Sequence, residues 1–345
     1  MSVNIDEPSS WLRLGIMDPI LKDIMDDSLA AFKKETRIDR IVATRDVWAP
    51  LYKKVADGSL KEHMDMVTCE ELQLPRRDGG TSRTLLYKPS HATSSKPLLI
   101  LIHGGGFCYG SPEMEGPNCV RAVAAYGCVA LSLSYRLAPE HKFPTASNDC
   151  WDAVKWVLEN SAQVGVDLGL GFVLGGTSAG GNIAVVISHT MHDHGSAPKL
   201  SGLWLNVPLL LAPEAVPLRH RSHYGSRDQN ALAPILNKAF MDMYTEAYAP
   251  DDIQSHIWSP LNWPTGHEGQ PPTYFQICGL DILRDEALIY ERILRTEHGI
   301  PTRVDVYPGL PHMFASNFQT HPSSKKYATD STLGIGWLLG YGKTQ

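Results

Sequence analysis

The chain has 345 residues, 43% of them hydrophobic, and its 37 acidic and 31 basic side chains give a formal net charge of −6. This length and hydrophobic content suffice to bury a substantial core, as one large α/β domain with an appendage. Because the charges form no long run of one sign, we expect neither a nucleic acid nor an anionic membrane surface as a partner, but a small, largely uncharged molecule.

The first 65 residues are predicted to be mainly helical. Residues 1–8 lack the basic and apolar regions of a secretory leader, and no apolar run reaches membrane-spanning length, so we expect a soluble cytoplasmic protein. From residue 9 onward apolar side chains recur at helical spacing, and we expect Pro19 and Pro50 to break the helix into pieces. So much apolar surface ahead of any strand predicts that residues 1–65 form part of a cap, with an ordinary packing helix as the alternative.

Residues 66–211 are predicted to form the first part of the main domain. Strand-like runs at 67–74 and 81–88 flank Arg77-Asp78-Gly79-Gly80, which indicates an antiparallel hairpin. The apolar run at 97–102 is typical of a strand buried on both faces of a parallel sheet. Helices and strands then alternate as in a doubly wound sheet, at 115–126, 128–135, 146–160, 172–176, 180–193 and 203–210.

Residues 212–270 interrupt this alternation and are predicted to be a cap insertion over the carboxyl edge of the sheet. They are rich in Pro, His, Arg and Trp, contain one helical pattern at 233–248, and carry basic side chains such as Arg227 that we expect on the solvated surface. Residues 271–345 complete the main domain, with strands at 273–278 and 302–307 and helices at 286–297 and 325–339. These strands bring the predicted sheet to eight.

The segment Gly176-Thr177-Ser178-Ala179-Gly180 lies where a predicted strand turns into a helix, and it matches G-x-S-x-G. In such a turn the serine hydroxyl projects clear of the sheet, and glycines avoid collisions between strand and helix. A glycine-rich turn of this kind can also hold a phosphate. No Lys-Ser/Thr and no G-x-G-x-x-G with an acidic partner accompany it, so a P-loop or a dinucleotide site is disfavoured. We therefore take Ser178 as the candidate nucleophile.

A serine nucleophile needs an acid that orients its base, and in this topology the acid follows a later strand. Asp281 comes just after the strand at 273–278, whereas Asp285 falls where a helix begins and is better explained as a cap or dipole partner. We favour Asp281.

The base is expected in the loop after the last strand, where His312 lies. His298 precedes Gly299 at a helix end, a position that suits a histidine structurally, and His321 precedes Pro322 well beyond the strand. His312 is therefore the favoured base.

A run of glycines ends the strand at 97–102 in the segment His103-Gly104-Gly105-Gly106. Three glycines after a buried strand can present successive N–H groups to one point, and with the Ala179 N–H they would surround an oxyanion. We assign His103 to holding this loop rather than to proton transfer.

Together these motifs resemble the hormone-sensitive-lipase-like family of α/β-hydrolases over residues 97–340. The resemblance implies an α/β-hydrolase fold with a helical cap and a carboxylic ester hydrolase activity. It further implies a catalytic triad and an oxyanion hole. The segments that carry it are His103–Phe107, Tyr135–Pro144, Gly176–Asn182 and Asp281–Glu286 with His312; the implied triad is Ser178, Asp281 and His312, and the implied oxyanion donors are Gly105, Gly106 and Ala179.

The chain departs from the common family pattern at three positions. Thr177 stands where many members have Asp, as in the G-T-S-A-G subgroup. Ile282 replaces a usual Pro and Met313 a usual Gly, and we expect both to shape the pocket.

The function predicted from the sequence is hydrolysis of short-chain acyl esters of small organic molecules through an acyl-enzyme. The alternatives are a deacetylase, lactonase or acyltransferase dedicated to one metabolite and, since His312 is present, less readily a receptor that binds without catalysis. No cofactor or metal is expected, because the six cysteines show no paired spacing and His189, His192 and His194 lack an acidic or thiolate set nearby. A homodimer is left open.

Overall fold

One mixed sheet of eight strands runs through the protein, whose computed structural model describes residues 4–28, 37–91 and 94–341. Parts of the predicted N-terminal segment, at 1–3 and 29–36, and the end of the chain at 342–345 lie outside the described residues. The strands are β1 (Val67–Pro75), β2 (Thr81–Pro89), β3 (Leu98–Ile102), β4 (Val129–Leu133), β5 (Phe172–Thr177), β6 (Gly202–Asn206), β7 (Thr273–Cys278) and β8 (Thr302–Tyr307).

The strand order is β1-β2-β4-β3-β5-β6-β7-β8, and it confirms the predicted eight-stranded, mostly parallel sheet. β2 pairs antiparallel with both β1 and β4, and all other neighbours are parallel. β3, β4 and β5 are buried at every position, as strands covered on both faces must be. Because parallel strands end at the same edge, the loops after β3, β5, β7 and β8 open at one edge of the sheet.

Helices cover both faces of this sheet. Alternate residues of β3 enter different core clusters: Leu98, Ile100 and Ile102 pack with one set of helices, and Leu99 and Leu101 with another. The helices are α1 (Pro19–Ser28), α2 (Ile41–Glu62), α3 (Gly116–Tyr126), α4 (Thr145–Glu159), α5 (Ser161–Val164), α6 (Ala179–Asp193), α7 (Ser226–Gln229), α8 (Lys238–Tyr248), α9 (Arg284–Arg292), α10 (Phe314–Asn317) and α11 (Pro322–Leu338).

The core clusters show which helices cover which face. Side chains of α4, α6 and α9, such as Val154, Ile183 and Leu288, belong to the cluster of Ile100. Side chains of α3 and α11, such as Val120 and Ile335, belong to the cluster of Leu99. The two layers of helices therefore bury the two faces of the sheet separately.

The structure differs from the sequence prediction at a helix and at a strand that each contain or adjoin a proline. Pro50 lies inside α2, so the prediction that this proline breaks the helix is wrong. A proline removes one helical hydrogen bond, and at this exposed position the other turns of a 22-residue helix continue past it. β6 ends at Asn206 rather than at residue 210, because Val207 has a φ of 42° and Pro208 cannot donate to a sheet.

The one helix predicted in the insertion at 212–270 is shorter than expected. The helix predicted at 233–248 begins only at Lys238, since Ile235 has a left-handed φ of 71° and Asn237 caps α8 by accepting a hydrogen bond from the Phe240 N–H. The rest of the insertion consists of short helical turns and loops. Its hydrophobic side chains, including Leu236 and Phe240, join the main core cluster.

A buried ion pair ties the insertion to the main domain. The Arg227 guanidinium lies 2.8 Å from the Glu286 carboxylate, which also accepts hydrogen bonds from Tyr224 and from the Leu210 N–H. Burial raises the pKa of Glu286, and the Arg227 charge opposes this effect. The prediction that Arg227 lies on the solvated surface is therefore wrong, because its partner is a buried side chain of α9.

The N-terminal segment is fastened beside the loop that follows β8. The Gly309 N–H donates to the Leu14 carbonyl, and the Asp18 N–H donates to the Gly309 carbonyl. Trp11 and Leu14 are buried in the main core cluster. This segment therefore packs on the loop that carries His312.

Replacing Arg227 by Met should lower the free energy of unfolding by about 3 kcal/mol, because it leaves the Glu286 carboxyl buried without its cation. Urea denaturation of the purified proteins measures this. Arg221→Met is the control: Arg221 is exposed in the same insertion, and its loss should change stability by less than about 0.5 kcal/mol. Equal changes in the two variants would contradict the role of the buried pair.

Candidate active site

Ser178 lies at the turn between β5 and α6, with a φ of 56° and a ψ of −116°. Side chains other than glycine rarely adopt such a backbone conformation. The turn is tight because β5 and α6 approach closely: a Cβ on Gly176 would overlap the Gly180 backbone, and a Cβ on Gly180 would overlap the Ile102 carbonyl. The two glycines of the motif are thus required by the packing around Ser178.

Two side chains from later loops reach Ser178. His312 follows β8, and its Nε2 lies 3.0 Å from Ser178 Oγ. Asp281 follows β7, and its Oδ2 lies 2.7 Å from His312 Nδ1. All three side chains are buried. The structure thus brings the three predicted residues together within hydrogen-bonding distance.

Hydrogen bonds hold Asp281 through both its carboxylate and its backbone carbonyl. The Leu283 N–H donates to Asp281 Oδ1 at 2.9 Å, which leaves Oδ2 directed at His312. Asn230 of the insertion donates through Nδ2 to the Asp281 carbonyl at 2.7 Å. The insertion therefore helps to fix the loop that presents the acid.

The residues that the sequence disfavoured make other contacts. The Asp285 carboxylate accepts hydrogen bonds from the N–H groups of Gly225 and Ser226. It therefore caps the start of α7 in the insertion and not α9, of which it is the second residue. His298 packs against His267, with ring centroids 6.0 Å apart. His321 is buried and forms the N-cap of α11.

The glycine loop after β3 is anchored by His103. Its Nδ1 lies 2.7 Å from the Gly104 carbonyl, and its ring stacks on Tyr135 with centroids 4.3 Å apart. Complete burial lowers the pKa of His103 to about 4, so the ring is neutral at pH 7 and Nδ1–H donates to the carbonyl. The Tyr135 hydroxyl donates to the His103 carbonyl at 3.0 Å. These contacts fix the start of the loop.

Gly105 and Gly106, the next glycines of this loop, line the cavity that contains Ser178. Gly105 and Gly106 have φ values of 111° and 60°, and a Cβ on Gly106 would collide with the Tyr244 ring. Within the described residues no protein group accepts a hydrogen bond from either N–H. Ala179 is the first residue of α6, so its N–H also lacks an intrahelical partner. All three residues line the cavity.

The cavity around Ser178 has a volume of about 910 Å³. Its apolar side is formed mostly by the insertion, with a contribution from α2. Met313 lines it as expected, whereas Ile282 is buried outside the lining. The apolar lining includes Leu51, Leu209, Leu236, Phe240, Met241 and Trp258.

The sequence analysis did not single out the polar side of the same cavity. There, six side chains form one chain of hydrogen bonds, which we call the polar row: Arg121, Asn118, Glu115, Thr177, Asn206 and Tyr327. The available signal was the spacing of Glu115, Asn118 and Arg121, three residues apart on and before a helix that follows the glycine loop. Nothing local in the sequence connects them with Thr177.

Of the three histidines considered as metal ligands, His189 packs against an aromatic side chain. His189 is buried and stacks on Trp263, with centroids 4.7 Å apart. In residues 4–28, 37–91 and 94–341, no three His, Cys, Asp or Glu side chains are grouped so that they could hold a metal ion. Within the same ranges, none of the helices has both the length and the apolar character needed to cross a bilayer.

Comparison with known families matches residues 99–316, more than half of the chain, to a family described by its alpha/beta hydrolase fold. The chain belongs to the α/β-hydrolase family. The resemblance to hormone-sensitive-lipase-like enzymes that its motifs indicated is thereby confirmed.

Individual relatives of this α/β-hydrolase agree with the assignment. It is 35% identical to an α/β-hydrolase superfamily protein of Schizosaccharomyces pombe, over 95% of this chain and 96% of the other. It is 32% identical to the versiconal hemiacetal acetate esterase of Dothistroma septosporum, over 74% and 77% of the two chains. The crystal structure of vibralactone cyclase superimposes with a TM-score of 0.87 at 29% identity, covering 100% of this chain and 99% of the other.

Burial of His103 gives the hydrolase a testable pH dependence. The unfolded chain binds a proton at His103 below pH 6.5, whereas the folded protein does so only near pH 4, so stability should fall as the pH drops between these values. The loss of unfolding free energy caused by His103 approaches about 1.4 kcal/mol per pH unit between these two values, and there is no such loss above pH 6.5. Urea denaturation from pH 8 to pH 4 measures it.

The variant His103→Gln has no side chain at this position that can bind a proton, so the stability of the variant should fall less steeply between pH 6.5 and pH 4. His63, a partly exposed histidine, supplies the matched control His63→Gln, whose pH profile should follow that of the wild type. Parallel profiles for wild type and His103→Gln would show that His103 does not titrate as described.

Proposed function

We propose that this α/β-hydrolase is a serine carboxylesterase that cleaves short-chain acyl esters of small organic molecules. The observation that carries the proposal is the hydrogen-bonded series Ser178, His312 and Asp281 at the wall of a 910 Å³ cavity. A hydroxyl, an imidazole and a carboxylate in this order are the groups required to activate a serine for attack on an ester.

In the proposed reaction Ser178 Oγ attacks the ester carbonyl carbon while His312 Nε2 takes the hydroxyl proton. The carbonyl oxygen becomes an oxyanion, which accepts hydrogen bonds from the N–H groups of Gly105, Gly106 and Ala179. His312 then gives its proton to the departing alcohol, and the acyl group stays on Ser178. Water, deprotonated by His312, attacks the acyl-enzyme and releases the acid.

Asp281 would keep the imidazole in the tautomer with a proton on Nδ1, which leaves Nε2 able to accept the serine proton. The 2.7 Å contact between Asp281 Oδ2 and His312 Nδ1 supports this role. The strained backbone of Ser178 supports the role of nucleophile, because it holds Oγ outside the helix that begins at the next residue.

The cavity supports the proposed substrate class. Its apolar side chains offer a surface for short hydrocarbon groups, and its walls come from the insertion and α2, which we propose to act as the cap. The acetate in the name of the Dothistroma septosporum relative is a short acyl group on a small molecule. A cytoplasmic location and a homodimer stay predictions from the sequence.

The alternative is an enzyme dedicated to one metabolite, a deacetylase, lactonase or acyltransferase. The likeness to vibralactone cyclase favours it, since that protein is named for forming one particular compound. The same three side chains would serve, with an alcohol in place of water as the acceptor for transfer. A receptor without catalysis is less well supported, because His312 contacts Ser178.

Replacing Ser178 by Ala should reduce kcat for hydrolysis of 4-nitrophenyl acetate by about 10⁴-fold or more, because it removes the nucleophile. An organophosphate probe followed by mass spectrometry should label Ser178 in the wild type and leave the variant unlabelled. Ser316→Ala, which changes another serine of the cavity lining, should still be labelled. Equal activity of Ser178→Ala and wild type would refute the assignment.

Products formed in the presence of alcohols separate the general esterase from the dedicated enzyme. We expect water to accept the acyl group from the acyl-enzyme. Acetate and not ethyl acetate is then the main product from aryl acetates, even in dilute ethanol. We expect turnover of several short acyl esters, measured by liquid chromatography. Preferential acyl transfer to ethanol, or turnover of a single compound in a broad metabolite extract, would favour the alternative.

A further inference from the structure

The polar row lines the same cavity as the apolar side chains, and one of its members, Thr177, is the residue next to Ser178. Thr177, the residue before Ser178, donates through Oγ1 to Glu115 Oε1 at 2.6 Å. Asn206 donates to Thr177 Oγ1 at 3.1 Å, and the Tyr327 hydroxyl donates to Asn206 Oδ1. On the other side Asn118 donates to Glu115 Oε2 at 2.7 Å. All these side chains line the cavity of Ser178.

Arg121 ends this row with hydrogen-bonding capacity that the protein does not use. Its Nη2 donates to Asn118 Oδ1 at 2.6 Å, but its Nε is buried and has no hydrogen-bond partner. Among the described residues no carboxylate lies within ion-pair distance of its guanidinium. A buried donor without an acceptor is energetically unfavourable, and an acceptor that binds there removes this penalty.

The carboxylates around Arg121 are either occupied or more distant. Both oxygens of Glu115 accept hydrogen bonds within the row. Burial raises the pKa of Glu115, and its hydrogen bonds with Thr177 and Asn118 oppose this effect. Glu113 is paired with Arg83 at 2.6 Å. Glu62 of α2 acts on Arg121 only through its longer-range charge.

The direction of the hydrogen bonds decides which chemical group fits. Each oxygen of Glu115 already accepts one hydrogen bond from a side chain of the row. The unsatisfied group is the N–H of Arg121, which requires an acceptor. A guanidinium binds oxygen acceptors, and carboxylates most strongly, through its fixed donors.

We propose that Arg121 and the polar row form a specificity subsite, which binds an oxygen acceptor of the ester substrate, a carbonyl or a carboxylate, several bonds from the reacting ester. This inference rests on the proposed function, because it concerns the substrate held at Ser178. It defines the favoured esters as bifunctional: one end reacts at Ser178, and a second oxygen function binds Arg121.

The test compares esters of equal length that differ in the second function. Methyl pentanoate, methyl levulinate and monomethyl succinate vary the acid half, with a methyl, a carbonyl and a carboxylate at the far end. Pentyl acetate and the acetates of the matching γ-hydroxy ketone and of γ-hydroxybutyrate vary the alcohol half. The two series show which half of the ester reaches the row, and the two oxygen functions show whether charge matters. Hydrolysis is followed by chromatography for wild type, for Arg121→Met, Arg121→Gln and Arg121→Lys, and for the control Arg221→Met.

In at least one series we expect wild-type kcat/KM to be about 10-fold or more higher for an oxygenated ester than for its apolar counterpart, the ratio that one hydrogen bond to a charged group provides. Arg121→Met should remove most of this ratio, and Arg121→Lys should restore part of it. Arg221→Met, at an exposed arginine outside the cavity, should keep the wild-type ratio. Arg121→Gln tests the same point if the methionine variant fails to fold, as judged by circular dichroism.

Three outcomes overturn the proposal, and a fourth overturns the proposed function. If wild type prefers the apolar ester in both series, or if the Arg121 variants lower kcat/KM equally for all esters, Arg121 is structural and the subsite does not exist, while the esterase function stands. If wild type hydrolyses none of the six esters but its Ser178 is labelled by the organophosphate, the subsite fails for simple bifunctional esters. If Ser178 is not labelled either, the proposed function itself fails.

Discussion

The close approach of β5 to α6 at Ser178 is the constraint on which the rest of the site depends. Gly176 and Gly180 have no room for a Cβ, and Ser178 is held at a φ of 56° between them. This conformation places a hydroxyl at the carboxyl edge of the sheet, beside the first free N–H groups of a helix. Because strand and helix are packed in the core on both sides, the turn cannot relax, and the strain is offset by burial elsewhere.

The other groups reach Ser178 through loops that distant segments hold in place. Asp281 is fixed partly by Asn230 of the insertion, and the N-terminal segment is bonded to Gly309, three residues before His312. Asp285 and Glu286 at the start of α9 bind the insertion through buried hydrogen bonds and an ion pair. The insertion and the N-terminal segment therefore hold the loops that carry Asp281 and His312, and side chains of the insertion also line the cavity.

The cavity has two chemically different sides. The insertion supplies mostly hydrocarbon and aromatic groups, whereas the polar row supplies hydrogen bonds that begin at Thr177, next to Ser178. A serine hydrolase needs only the triad and the oxyanion donors for the reaction itself. A row of buried polar side chains has an energetic cost unless its groups are paired. Among the described residues, the buried Arg121 Nε has no hydrogen-bond partner, and the proposed subsite rests on this group.

The sequence by itself determined the order of strands and helices and the bounds of β7 and β8. It also singled out Ser178, Asp281 and His312, which the structure brings within hydrogen-bonding distance of one another. These features follow from local patterns in the sequence. An apolar run, a glycine turn or a residue just after a strand can be recognised from a few neighbouring residues. Only the tertiary structure decided that Arg227 is buried against Glu286 and that Glu115 bonds to Thr177. Those contacts join residues about 60 positions apart, and the burial that makes a charge or a hydrogen bond matter exists only after the chain has folded.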